Sequence, residues 1–220
     1  MLVSFEGGDG SGKSTQSRLL GAWLTRRGVP VVLTREPGGT DLGQVLRQAV
    51  LHGEHLDPRT EALLYAADRA HHVASLVRPA LARGAVVVTD RYLDSSVAYQ
   101  GTGRDLGAEE VERLSLWATR GLLPALTVLL DVDPEVGMGR LRGRTAAPDR
   151  LESAGEEFHR RTRAAFLARA QADAGRWLVL DASRPAETIA ADVRTRVAAL
   201  LGPRLPGAER PDPELPGAGG

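Results

Sequence analysis

A chain of 220 residues with 28 Lys+Arg against 28 Asp+Glu has the length of one compact domain and no net charge. That excludes the broad basic surface of a protein that coats nucleic acid. With 42% apolar residues and no cysteine, it can bury a core but can form no disulfide, Cys-held metal centre or thiol nucleophile. No apolar run approaches a membrane span, and the opening Met1-Leu2-Val3-Ser4-Phe5-Glu6 lacks a basic signal-peptide start. The expected setting is the cytoplasm, with neither membrane nor nucleic acid as partner. Asn is absent and Lys13 is the one lysine.

The first apolar run, Leu2–Glu6, reads as a buried strand. It leads into Gly7-Gly8-Asp9-Gly10-Ser11-Gly12-Lys13-Ser14-Thr15. This is G-x-x-x-x-G-K-[ST] between a strand and a helix, the pattern of a phosphate cradle. Glycines let successive backbone N–H groups converge on one anion, and the helix N-terminus adds its positive end. Lys13 reaches the β and γ phosphates of a nucleoside triphosphate, and the Ser14 hydroxyl can ligate Mg²⁺. Leu19, Leu20, Trp23 and Leu24 give helical spacing over Lys13–Arg27.

A second strand, Val31–Thr34, runs into Arg35-Glu36-Pro37-Gly38-Gly39-Thr40. A long helical pattern covers Pro58–Arg83, with Pro79 expected to kink or end it. Its adjacent His71 and His72 point in different directions and read as surface histidines. The third strand, Ala85–Asp90, ends in an acid that could orient Mg²⁺, followed by Arg91. Arginines at two strand ends beside a phosphate cradle suggest a second phosphate-bearing ligand, because a guanidinium grips phosphate bidentately.

Helical patterns follow at Glu109–Arg120, Pro134–Leu141, Glu156–Asp173 and Pro185–Leu200, and strands at Leu126–Asp131 and Trp177–Asp181. The Gly/Pro-punctuated stretch about 140–153 carries Arg140, Arg142, Arg144 and Arg150 and suits a lid over a transferring group. From Gly202 to Gly220 over half the residues are Pro or Gly, which predicts a disordered tail after a domain of residues 1–201. Alternating strands and helices predict an α/β fold with a mainly parallel five-stranded sheet between helical layers. Its ligands would sit at the carboxyl ends of the strands.

The stretch Val88-Thr89-Asp90-Arg91-Tyr92-Leu93-Asp94-Ser95-Ser96-Val97-Ala98-Tyr99-Gln100 resembles the signature of the thymidylate kinases, P-loop nucleoside monophosphate kinases. Phe5-Glu6-Gly7, Thr34–Thr40 and Asp149-Arg150-Leu151-Glu152 resemble further motifs of that family, and the likeness spans nearly all of residues 1–200. It implies Mg²⁺-dependent transfer of the ATP γ-phosphoryl to dTMP in the supply of dTTP, and a homodimer.

By the same resemblance, Arg35 and Arg91 hold the acceptor phosphate and Tyr65 stacks on thymine. Arg69 bonds a base carbonyl, and Ser96 reads the base edge beside Gln100. Tyr99 lies under the deoxyribose, and Asp9 faces the acceptor sugar and the metal. The catalytic arginine falls in the lid, at Arg142 or Arg144. Two other readings stand beside this one. A nucleoside kinase on the same fold would need a carboxylate base, for which Glu36 is the candidate. A nucleotide-binding switch or regulatory ATPase would hydrolyse ATP slowly and ignore dTMP.

Overall fold

The computed structural model describes residues 1–53, 56–141 and 149–205. Five parallel strands among these residues form one sheet in the order β2-β3-β1-β4-β5. They are β1 (Leu2–Glu6), β2 (Val31–Arg35), β3 (Val86–Asp90), β4 (Leu126–Asp131) and β5 (Trp177–Asp181). All five expected strands are present, each within one residue of its predicted ends. The central strands β1, β3 and β4 are buried along nearly their whole length. This is why they read as continuous apolar runs rather than alternating ones.

The helices are α1 (Lys13–Arg26), α2 (Asp41–His52), α3 (Pro58–His72), α4 (Arg78–Ala82), α5 (Leu93–Ser96), α6 (Ala108–Thr119), α7 (Pro134–Leu141), α8 (Glu156–Ala172) and α9 (Ala186–Leu201). One apolar cluster packs Leu20, Trp23 and Leu24 of α1 and Ile189, Val193 and Val197 of α9 against one face of the sheet. Across the sheet, Val73, Val77, Val97 and Val111 pack with Leu2 and Val87. The two layers bury the strands and leave their carboxyl ends to build a site.

The long helical pattern ending at Arg83 is two helices joined by wide π-type turns at Val73–Val77, one turn before Pro79. Such turns absorb the backbone N–H that proline lacks. Two helical stretches appear beyond those expected. One is α2, capped by the Thr40 side chain at Gly43 N. The other is α5 with the π-type turns of Val97–Gly103. The fold also reaches past residue 201. Gly202–Arg204 forms a 3₁₀ turn and Leu205 is buried in the core, because Leu205 supplies the apolar anchor that the rest of that segment lacks. No helix among the described residues is long and apolar enough to cross a membrane.

Candidate active site

The loop from β1 to α1 curls tightly against its neighbours, and two glycines show why no side chain is tolerated there. A Cβ on Gly7 (φ 135°) would lie 2.5 Å from the Leu130 carbonyl oxygen, and one on Gly10 (φ 72°) would overlap the backbone of Gly137 in α7. The loop ends at Gly12, left-handed at φ 95°, where α1 begins. Lys13 Nζ donates to the carbonyls of Gly7 (3.1 Å) and Gly8 (2.6 Å) and approaches the Ser11 hydroxyl at 3.4 Å. Burial and the neighbouring Arg91 guanidinium push its ammonium down to about 8.

Ser14 Oγ donates to Asp90 Oδ2 at 2.5 Å. A hydroxyl at the start of α1 and a carboxylate at the end of β3 thus meet beside the cradle. They are hard oxygen donors of the kind Mg²⁺ takes together with substrate phosphates and waters, so this pair fits the ion.

Arg91 sits at the end of β3 with φ 68°, a left-handed conformation unusual for a side-chain-bearing residue. That turn swings its guanidinium across the end of the sheet. Nη1 reaches the Gly7 carbonyl at 3.2 Å and Ser95 Oγ at 3.1 Å. Nη2 reaches Asp9 Oδ1 at 2.5 Å and Tyr99 Oη at 3.2 Å. Burial would raise the Asp9 carboxyl, but the charges of Arg91, Lys13 and His159 outweigh it and hold the group below the usual carboxylate range.

A buried acid fixes this turn. Glu6, fully buried at the end of β1, accepts Tyr92 N at 2.8 Å and the Ser95 hydroxyl at 2.5 Å. Burial and Asp94 push its carboxyl up to about 8. The one available signal was an acid ending an apolar strand.

Beyond Arg91 opens a cleft with about 810 Å³ of free volume. It joins Lys13, Ser14 and Asp90 at one end to Tyr65, Arg69, Ser96, Tyr99 and Gln100 at the other, with Asp9, Arg35, Glu36 and Arg91 between. The structure therefore brings most of the described candidates together in one concavity; Gly7, Gly8 and Ser11 of the loop do not line it. Arg47 of α2 also lines it and was not foreseen; its Nη1 donates to the Pro37 carbonyl at 3.1 Å.

Glu36 and Arg91 do not form the ion pairs that adjacency in sequence suggests. Glu36 binds Arg69 Nε through Oε2 (2.7 Å) and His72 Nδ1 through Oε1 (2.8 Å). His72 is completely buried and its Nε2 meets Thr34 Oγ1 at 2.7 Å, which corrects its reading as a surface histidine; α3 turns that side chain under β2. His71 is exposed.

Arg69 further donates to Ser115 Oγ (3.2 Å), the Tyr92 carbonyl (3.2 Å) and Ser96 Oγ (3.1 Å). Four of its five N–H groups are thereby engaged. Gln100 Nε2 donates to Glu61 Oε1 at 2.7 Å.

On the other flank, Arg140 at the end of α7 bridges the Gly10 carbonyl (3.3 Å) and the Ala182 carbonyl (3.0 Å). Arg150 holds the carbonyl of Val50 and lies 2.6 Å from Glu61. Arg142 and Arg144 lie outside the described residues.

A family model described as thymidylate kinase matches residues 5–193. Among similar proteins are the thymidylate kinase of Clavibacter michiganensis subsp. michiganensis, 60% identical over 91% of this chain and 96% of the relative, and that of Leifsonia xyli subsp. xyli, 61% identical over 90% and 94%. A more distant one is the thymidylate kinase of Thermomicrobium roseum, 48% identical over 91% and 95%. With the phosphate cradle, the strand-end arginines and the cleft between them in place, the chain belongs to the thymidylate kinase family.

Proposed function

We propose that this chain transfers the γ-phosphoryl group of ATP to dTMP, giving ADP and dTDP. The observation that carries the reading is the single cleft that runs from the Lys13 cradle to Arg91 and on to Tyr65 and Gln100. The acceptor phosphate is already an anionic nucleophile at neutral pH, so the work is positioning and charge neutralisation.

In this reading the backbone N–H groups of Gly8, Asp9, Gly10, Ser11 and Gly12, with Thr15, surround the donor phosphates and Lys13 spans the β and γ groups. Arg91 and Arg35 hold the acceptor phosphate, Arg91 exchanging its contact with Asp9 for it. Tyr65 stacks on the base, Tyr99 lies beneath the sugar, and Asp9 faces the sugar hydroxyl. Ser14 and Asp90 would hold Mg²⁺, which when bound screens the charge of the donor phosphates. Arg142 or Arg144 would cover the transferred group from the lid.

Two observations weigh against the alternatives. Both carboxylate oxygens of Glu36 are already engaged by Arg69 and His72, which weighs against Glu36 as the base of a nucleoside kinase. A regulatory ATPase has no use for an extension of the cleft beyond Arg91 that is lined by Arg69, Tyr65 and Tyr99. Homodimerisation belongs to the proposal too, supported by the exposed Leu63 of α3 and Trp117 of α6. So do a cytoplasmic location and a role in dTTP supply.

The test is ADP release from ATP and Mg²⁺ with dTMP, dUMP, dCMP, AMP and thymidine offered separately, and with Lys13→Ala as control. Turnover that depends on dTMP and vanishes in the control is the expected result. Slow hydrolysis indifferent to every acceptor would refute the proposal.

A further inference from the structure

Gln100 is 1% exposed and lines the acceptor end of the cleft. A planar amide offers two hydrogen-bonding faces of opposite character, so its orientation decides what it can recognise. Here the orientation is fixed from behind. Glu61 is fully buried on α3, one turn before Tyr65, and its Oε1 accepts Gln100 Nε2 at 2.7 Å.

Its second oxygen, Oε2, faces two guanidiniums, Arg150 Nη1 at 2.6 Å and Arg104 Nε at 3.6 Å. A carboxylate held in this way can only accept. It therefore takes the NH₂ end of Gln100 and leaves the carbonyl oxygen for whatever fills the cleft. The cleft thus presents a fixed acceptor from Gln100.

That acceptor matches one kind of pyrimidine. Thymine and uracil carry an N–H at position 3 beside a carbonyl at position 4, whereas cytosine carries a bare nitrogen beside an amino group. Cytosine would set its bare nitrogen, an acceptor, against the Gln100 carbonyl, also an acceptor.

We infer that Glu61 is a specificity-determining positioning residue: by locking the Gln100 amide it makes the cleft select a 4-oxo over a 4-amino pyrimidine monophosphate. The inference rests on the acceptor reading of this cleft. With Gln at position 61, the side chain can donate as well as accept, so the Gln100 amide is free to adopt either orientation. Discrimination then falls because the buried complement is no longer enforced.

The test compares kcat/KM for dTMP and for dCMP in the full chain, with ATP and Mg²⁺, in wild type, Glu61→Gln, Gln100→Ala and the double variant. Glu61→Gln is expected to lower the dTMP/dCMP ratio about tenfold while the KM for ATP stays within about twofold. Gln100→Ala is expected to lower the ratio as well, and adding Glu61→Gln to it to change the ratio no further, since Glu61 acts through Gln100. Equal losses with both acceptors and an unchanged ratio would make Glu61 merely structural and overturn the inference. A wild-type chain that turns over neither acceptor would instead refute the acceptor reading, and the inference with it.

If Glu61→Gln does not fold, the wild type still decides the matter through the ¹⁵N resonance of the Gln100 side chain. It should keep its hydrogen-bonded shift when dTMP is added. A shift showing that the NH₂ group turns toward the base would overturn the inference.

Discussion

The two ends of the cleft are built on different principles. At the acceptor end, side chains are buried and already tied to second partners: Arg69 to Glu36, Glu36 to His72, His72 to Thr34, and Gln100 to Glu61. At the phosphate end, the charged groups rest on contacts that a phosphate can replace. Lys13 lies on the loop carbonyls of Gly7 and Gly8, and Arg91 leans on Asp9. A base is recognised by the pattern of its donors and acceptors, which demands rigid side chains. A phosphoryl group in transfer is stabilised by charge that follows it, which demands groups able to let go of their resting partners.

This contrast predicts that substitutions at the phosphate end cost activity, whereas those at the acceptor end cost stability too. The largest effect falls on Lys13. Lys13→Ala should lower kcat by about 10³-fold and leave the urea midpoint nearly unchanged, since among the described residues the ammonium donates to loop oxygens. A large fall in that midpoint would blur the distinction.

Arg69→Met is next and inverts the pattern. It strands the buried Glu36 carboxylate and should cost about 3–5 kcal/mol in unfolding free energy, measured by urea denaturation. A loss of activity at full stability would show that Arg69 is not part of the frame.

Asp68 offers a pH test of that frame. It is buried on α3 and accepts Gly38 N at 3.3 Å through Oδ1, while Oδ2 has no hydrogen-bond partner among the described residues. Burial and the nearby Glu36 raise its carboxyl from 3.8 to about 6. The folded state therefore binds this proton more tightly than the unfolded chain. Its contribution is most favourable below about 3.8 and is lost as pH rises through about 6. Asp68→Asn should accordingly stabilise the protein at pH 7.5 by an amount on the order of 2 kcal/mol, and by much less at pH 4.5. Equal effects at both pH values would contradict the assignment.

The smallest structural effect belongs to Arg35, exposed at the end of β2. Arg35→Met should leave stability within about 0.5 kcal/mol while raising the KM for dTMP. An unchanged KM would remove Arg35 from the acceptor site.

The same contrast explains what the sequence could and could not reveal. The phosphate cradle is legible because a backbone conformation dictates it, and the conformation writes its glycines at fixed spacing, as at Gly7 and Gly12. The strands are legible because burial on both faces makes them continuously apolar. The α2 helix does carry an apolar stripe at helical spacing (Leu42, Val45, Leu46, Ala49, Val50), but the fold leaves Leu42 and Val45 exposed and buries only Gly43, Val50 and Leu51. The turns of Val97–Gly103 escape a 3.6-residue period because their hydrogen bonds span five residues. The buried frame is the least legible part. Glu6, His72 and Glu61 take partners from other segments of the chain, and nothing local distinguishes a buried paired acid from a solvated one. Resemblance supplied Arg69 and Gln100 as site residues, but their fixing partners came only from the fold.

The most direct test follows the phosphorus itself. ATP labelled at the γ-phosphate is incubated with the protein, Mg²⁺ and dTMP, and the label is traced. The expected result is label in dTDP, one equivalent for each ADP formed, and none when Lys13 is replaced by Ala. Label appearing as inorganic phosphate at a rate independent of dTMP would contradict it.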